Sequence, residues 1–130
     1  MAYKGSQPFK ITLEAGADLS SSQYNFVKLD SSGDAVECSA VTDKPVGVLQ
    51  NKPTAGQAAE IVVVGLTKVS TNAALAIGDL VGTSSDGQAA AYVAGTDTTK
   101  YVVGTVLVTS GGADEITSIL VNCANPHRGA

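Results

Sequence analysis

Residues that could do chemistry are scarce in this chain, and their spacing builds no catalytic set. Its single histidine, His127, lies in a polar stretch near the end of the sequence. A catalytic nucleophile needs a base that a rigid element holds within hydrogen-bond reach, and such a stretch offers none. No GxGxxG or GxxxxGKS/T phosphate loop and no GxSxG nucleophile elbow is present. We therefore expect His127 to be a solvated side chain.

Acidic residues occur in two small groups, and neither predicts a site. Residues 30–34 (DSSGD) have some calcium-loop character but lack the glycine and the distal glutamate of an EF-hand, so an Asx-type turn is preferred. Asp114 and Glu115 are adjacent, and neighbours on a strand point to opposite faces, which hinders the sharing of a proton. The sequence thus predicts a protein that is not an enzyme and has no metal and no cofactor.

The two cysteines, Cys38 and Cys123, lie far apart in the sequence and form no CxxC pair. Their spacing alone cannot decide whether they form a disulfide. Two half-buried thiols in a reducing cytosol are the preferred interpretation.

The composition is that of one domain with a core of small side chains. The chain has 130 residues, of which 44% are hydrophobic but only 5% aromatic and 15% charged. Because the apolar residues are mostly alanine and valine, the core is expected to consist of small and β-branched side chains. The net charge of −4 and the scattered basic residues argue against a nucleic acid or a membrane as partner. No apolar run has the length of a signal peptide or a membrane span, so synthesis in a cytoplasm is expected.

Short β-branched runs separated by turns of Gly, Pro, Ser and Asp indicate strands along most of the chain. The alternation of Phe9, Ile11 and Leu13 with polar residues predicts a half-buried first strand. Residues 70–77 are the one stretch with helix character, an alanine-rich turn. The predicted fold class is all-β, a small β-barrel or β-sandwich.

The chain is expected to divide into a flexible N-terminal arm (1–8), a single β-domain (9–122) and a C-terminal tail (123–130). Within the domain we predict two similar β-units, pseudo-repeats of about 23–65 and 77–122. The equivalences that suggest the repeat are Gly47 with Gly104, Gly56 with Gly112, Glu60-Ile61 with Glu115-Ile116, and residues 27–34 with 81–88. Repeated use of the same turn residues, which is common in β-proteins, is the alternative.

A longer pattern resembles a family of small proteins encoded among the head genes of tailed bacteriophages. It consists of residues 22–30 (SQYNFVKLD), 45–53 (PVGVLQNKP) and 76–81 (AIGDLV). The resemblance extends over residues 9–121, and its most specific segment is Gly-Val-Leu-Gln-Asn-Lys-Pro at 47–53. Family members with an assigned role are capsid decoration, or cement, proteins.

The resemblance implies an accessory protein that binds the outer surface of an expanded phage head and bridges neighbouring major capsid protein subunits. It further implies a homotrimer, a place on the outer surface of the virion after synthesis in the host bacterial cytoplasm, and no catalytic residues. The alternative is a head fibre or adhesion base that displays a host- or carbohydrate-binding surface. With no Trp and four Tyr, platforms for stacking sugars are scarce.

The N-terminal arm and the first strand form the candidate contact with the major capsid protein. We expect Tyr3, Lys4, Phe9 and Lys10 to become ordered on docking, with Phe9 or Ile11 adding an edge strand to a capsid subunit. The alternative is a frayed terminus followed by an ordinary first strand.

Overall fold

Residues 8–129, which the computed structural model describes, form two antiparallel β-sheets. The strands are β1 (Phe9–Glu14), β2 (Phe26–Leu29), β3 (Ala35–Glu37), β4 (Gly47–Leu49), β5 (Ala58–Ser70), β6 (Leu80–Thr83), β7 (Ala89–Ala91), β8 (Tyr101–Val102), β9 (Gly104–Val106), β10 (Ile116–Asn122) and β11 (His127–Arg128). The large sheet has the order β3-β2-β4-β5-β10-β9-β6-β7, with β1 also paired to β5, and β11 pairs with β8. The prediction of an all-β fold is confirmed, in the form of a curled half-barrel sheet with a small two-stranded ribbon.

Strand β5 is the centre of the large sheet and serves two sets of neighbours. Its first half pairs with β1 and β4, and its second half pairs with β10. The change of partner falls at Val64, which is opposite Phe9 on β1 and Asn122 on β10. The next residue, Gly65, has φ +128°, a conformation that side chains strongly disfavour. Glycine at this point allows one long strand to bend between two halves of the sheet.

The two halves repeat the same connections, and we call residues 9–64 the first unit and 65–122 the second unit. After β1, Ala15 forms a parallel bridge with Ala35 at the start of β3. After β5, Thr71 forms the same bridge with Ala89 at the start of β7. Likewise β4 pairs with both β2 and β5, as β9 pairs with both β6 and β10. Each unit therefore begins with a strand that lies before the repeat predicted from the sequence. This strand is β1 in the first unit and the end of β5 in the second.

The hydrogen bonds also correct one residue equivalence. The Gly56 N–H donates to the Ala15 carbonyl, and in the second unit it is the Asp114 N–H that donates to the Thr71 carbonyl. Both donors have positive φ, 84° for Gly56 and 60° for Asp114. The pairing of Gly56 with Gly112 is therefore wrong. The turn requires the left-handed backbone conformation, which Asp tolerates better than most residues. A glycine in the sequence therefore did not identify the equivalent position in the second unit.

The expectation of a helical turn at residues 70–77 is also wrong. The Thr71 N–H donates to the Glu115 carbonyl and the Leu75 N–H to the Ser110 carbonyl, so neither is available for a helix. Leu75 is buried in the core. In the segment expected to be a polar tail, His127 and Arg128 pair with β8 instead of lying free.

Two hydrophobic clusters lie on opposite faces of the first unit. Val27, Leu49 and Ile61 belong to a small cluster inside the first unit. Phe26, Val48 and other residues that alternate with them belong to a larger cluster together with second-unit residues such as Val81 and Ile119. Because successive residues of a strand face opposite sides, the first unit presents one face to its own interior and the other to the second unit.

Candidate functional site

The predicted capsid-contact residues fall into two groups. Tyr3 and Lys4 lie outside the described residues. Phe9 and Lys10 are the first two residues of β1, and both are exposed. Phe9 has 60% of its surface accessible, which is unusual for a large aromatic side chain on a strand.

The strand β1 offers one open edge. Its partner along residues 9–14 is β5, with Lys10 opposite Val62 and Glu14 opposite Ala58. Within residues 8–129, no strand pairs with its other edge, and the next contact on that side is the bridge from Ala15 to Ala35. An unpaired strand edge presents N–H and C=O groups that can bind a strand of another chain. The structure therefore brings Phe9 and Lys10 together at an edge that can accept a partner strand.

The backbone around Pro8 determines how the chain enters this edge. A β-carbon added to Gly65 would lie 3.0 Å from the Pro8 β-carbon and 3.2 Å from its α-carbon. Pro8 therefore passes directly over the bend of β5, and the pairing register shifts between Phe9 and Lys10. Gly65 thus both bends β5 and makes room for the start of β1.

A second surface feature is a groove of about 320 Å³ at the end of β2, lined by Lys28, Leu29, Lys44, Pro45, Val46 and Cys123. The Lys28 ammonium donates to Asp43 Oδ2 at 2.9 Å, and the same oxygen accepts the N–H groups of Ser39 and Ala40. Burial raises the pKa of Asp43, but these hydrogen bonds outweigh that effect and hold the pKa below its ordinary value. The Lys28 charge is thus already paired within the protein, and its role in the groove is structural.

The two cysteines are free thiols in the larger hydrophobic cluster. Burial raises the pKa of Cys38 to about 12, with a smaller contribution from Asp43. Burial likewise raises the pKa of Cys123 to about 12, with a further contribution from Cys38. A protonated, buried thiol is a poor nucleophile and a poor metal ligand. They are more deeply buried than the half-buried thiols expected from the sequence.

The polar residues considered as sites have local structural roles. Asp30 Oδ1 accepts the N–H groups of Ser32 and Asp34 at 2.8 and 2.9 Å, which confirms the Asx-type turn. His127 is exposed on β11. Among residues 8–129, no group of three or more His, Cys, Asp or Glu could hold a metal ion. No helix in that part of the chain is long and apolar enough to cross a membrane.

Sequence reasoning missed an exposed apolar row on the second unit. Thr105 lies opposite Leu120 on β10 and opposite Leu80 on β6, and Leu120 lies opposite Leu66 on β5. We call these four residues the outer row. Leu66, Leu120 and Leu80 are 56%, 53% and 45% exposed. The signal was present: on β10, Leu120 falls between two core residues and must point outward, where a polar residue is usual.

The described residues define a curled antiparallel β-sheet with an internal repeat. This fold is shared with the base of a phage head fibre: the solved structure of the head fibre gp8.5 N base of bacteriophage phi29 matches with a TM-score of 0.66, over 90% of this chain and 96% of that chain. The identity is 14%, so the likeness is one of fold. No protein-family model and no curated protein matches the sequence.

Proposed function

We propose that this protein is a structural component of a bacteriophage head and attaches to the outer surface of the capsid. The observation that carries the proposal is the match to the phi29 head fibre base, which extends over nearly the whole of both chains. The sequence resemblance to phage head accessory proteins rests on residues 22–30, 45–53 and 76–81. It supports attachment to a phage head independently of the structural match.

Two roles on the head are compatible with this placement, and the base of a head fibre or of an adhesion module is the better supported. The matched structure is a fibre base, whereas the cement role rests on the sequence resemblance alone. A base needs one surface that holds the capsid and leaves the rest of the domain free. A cement protein must contact two or more capsid subunits at once, so that weak contacts add through effective concentration.

The open edge of β1 is the proposed capsid contact. Phe9 supplies an exposed aromatic anchor and Lys10 an exposed cation at the same point. Buried aromatic side chains dominate the binding energy of many protein interfaces, and a strand edge adds main-chain hydrogen bonds. Tyr3 and Lys4, which precede this edge in sequence, are proposed to extend the contact with the major capsid protein.

Co-sedimentation with undecorated heads, before and after expansion, tests the proposal. The wild-type protein is expected to bind saturably, and Phe9→Glu is expected to weaken binding at least about tenfold, since it removes an aromatic side chain whose burial on docking is worth about 2 kcal/mol. Ile77→Glu is the matched control, because Ile77 is a comparably exposed apolar residue, 69% accessible, away from β1. Absence of binding to either form of the head would refute the proposal for that capsid.

The two roles differ in what the protein does for the capsid. If it is cement, heads that carry it should survive heating or low salt better than bare heads. If it is a fibre base, decorated and bare heads should be lost at the same temperature while binding remains saturable. A measured increase in head stability would therefore favour cement over the fibre base.

A further inference from the structure

The backbone of β1 directs alternate residues to its two edges. The Ala15 N–H donates to the Gln57 carbonyl on the side of β5, so the odd-numbered residues of this antiparallel pair bond to β5. The Gly16 N–H donates to the Ala35 carbonyl, on the opposite side. The even-numbered residues of β1 therefore direct their N–H and C=O groups to the open edge. These residues are Lys10, Thr12 and Glu14.

The open edge is short and has a defined limit at each end. At one end the pairing register of β1 shifts between Phe9 and Lys10. At the other end Ala15 forms the parallel bridge with Ala35. Between these limits no strand within residues 8–129 pairs with the edge. A partner segment of about five residues fits this space, since each residue of a strand faces one residue of its neighbour.

The two faces of β1 beside this edge differ in polarity. Ile11 and Leu13 are half-buried and pack against the small cluster inside the first unit. The side chains of the even-numbered residues are exposed on the other face. Side chains of adjacent strands on one face contact one another. An added strand would therefore bury two apolar side chains beside Ile11 and Leu13 and keep the residues that alternate with them in solvent.

The exposed face of the edge is basic at one end and acidic at the other. Lys10 lies at the first end and Glu14 at the second, and neither forms an ion pair within the described residues. A β-carbon on Gly16 would lie 2.7 Å from Asp30 Oδ2 and 3.1 Å from the Asp34 β-carbon, so two more acidic side chains flank the second end. Opposite charges directly across a strand pair stabilise the pairing, and like charges destabilise it.

We infer that the open edge of β1 accepts an antiparallel segment of the major capsid protein with the pattern basic–apolar–polar–apolar–acidic. The basic residue lies opposite Glu14, the acidic residue opposite Lys10, and the apolar residues opposite Leu13 and Ile11. An antiparallel orientation is that of every strand ladder within residues 8–129. The capsid protein as partner rests on the proposed function, whereas the pattern rests on the edge itself.

Peptides with blocked ends test the pattern on the purified, isotope-labelled chain by NMR. The matched peptide is Lys-Val-Thr-Val-Glu, and Glu-Val-Thr-Val-Lys is its control, with the same composition and reversed charges. The matched peptide is expected to shift the amide signals of Lys10, Thr12 and Glu14. The control peptide is expected to bind about fivefold more weakly, and salt should reduce the difference because these charges are exposed.

Methylation of the peptide backbone tests the hydrogen bonds. The nitrogen of the central threonine faces β1 in this pairing, and the valine nitrogens face away. Methylating the threonine nitrogen is expected to weaken binding at least about tenfold, since it removes a donor and introduces a clash. Methylating a valine nitrogen should leave the affinity nearly unchanged.

Thr12→Pro makes the corresponding change in the protein. It removes an N–H group that points to the open edge, where proline is tolerated in a strand. Thr12→Ala is the matched control, because it shortens the same side chain and keeps the N–H. Thr12→Pro is expected to weaken binding of the matched peptide and of phage heads at least about tenfold, and Thr12→Ala is not. Circular dichroism checks the fold, and the methylated peptides give the same test on the wild-type chain if Thr12→Pro unfolds.

Three results would overturn the inference. The first is a matched peptide that leaves the β1 amide signals unchanged. The second is equal binding of the two charge patterns, and the third is equal binding of the two methylated peptides. The peptide assay contains no heads, so its failure is separate from failure of the proposed function. A chain that binds heads but not the peptide attaches by another surface, and one that binds the peptide but no heads has a partner other than the capsid.

Discussion

Tyr24 and Gly78 occupy the same position in the two units, and both adopt a left-handed backbone conformation. The Tyr24 N–H donates to the Leu49 carbonyl and the Gly78 N–H to the equivalent Val106 carbonyl. Their φ angles are 68° and 88°. In the first unit a bulky residue therefore holds a conformation that glycine provides without strain in the second. The Lys68 ammonium lies over the Tyr24 ring, 5.9 Å from the ring centroid. This cation–π contact is one that a glycine at position 24 would lack.

The first prediction concerns this position. Gly78→Ala is expected to lower the free energy of unfolding by about 1 kcal/mol, since the added β-carbon disfavours positive φ. Nothing lies within 4 Å of that β-carbon, so backbone strain is the sole cause. Gly111→Ala is the control, because Gly111 has no positive φ and its β-carbon would meet the movable carboxylate of Glu115. Equal losses for the two variants in urea denaturation would contradict this explanation.

A second prediction separates the equivalent glycines Gly47 and Gly104. A β-carbon on Gly47 would overlap both the Val62 carbonyl oxygen and the Ile61 side chain, whereas on Gly104 the equivalent Leu120 carbonyl oxygen and Ile119 side chain lie at 3.2 and 3.1 Å. We expect Gly47→Ala to cost about 3 kcal/mol and Gly104→Ala about 1 kcal/mol, because the overlap at Gly47 requires the strands to move apart and the contacts at Gly104 require only a small shift. Thermal or urea unfolding of both variants measures the difference. A larger loss for Gly104→Ala would show that the strand spacing differs from that described.

The third prediction concerns pH. The pKa of Asp43 is below its ordinary value of 3.8 in the folded protein. A carboxyl with a depressed pKa stabilises the fold above its unfolded pKa, and this contribution is lost as the pH falls through the folded pKa. Asp43→Asn is therefore expected to cost about 1 kcal/mol at neutral pH and progressively less below pH 3.8.

Lys28→Met and the double variant complete a mutant cycle for the ion pair. If the Lys28–Asp43 hydrogen bond contributes, the two single substitutions should be non-additive at neutral pH. Strict additivity would mean that the backbone N–H groups of Ser39 and Ala40 account for the stabilising effect of Asp43.

The fourth prediction concerns the thiols. With a pKa raised to about 12 and little exposure, Cys38 and Cys123 should react with a thiol reagent at pH 8 far more slowly in the native protein than in guanidinium. Cys123 borders the groove beside Lys44, so it should react before Cys38. Comparing Cys38→Ala with Cys123→Ala separates the two rates. Rapid labelling of the native protein would contradict the burial of both thiols.

Local features were predictable from the sequence because they depend on a few adjacent residues. The alternation around Ile11 predicted β1, and β-branched runs with Gly and Asp turns predicted an all-β fold. The Asp30 turn followed from side-chain hydrogen bonds to its own backbone. The placement of Phe9 on a strand was likewise predictable, but the open edge of that strand was not.

Contacts between distant segments were decided by the tertiary structure alone. Thr71 and Leu75 have their backbone partners about forty residues away, so local composition suggested a helical turn where none exists. Phe26 and Leu80 are apolar residues at equivalent positions, yet one is fully buried and the other 45% exposed. The alternation of side chains along a strand directs both of these side chains to the outward face. Only the packing of the second unit onto the first determines which of them is covered, because burial depends on what lies across the interface and not on the residue itself.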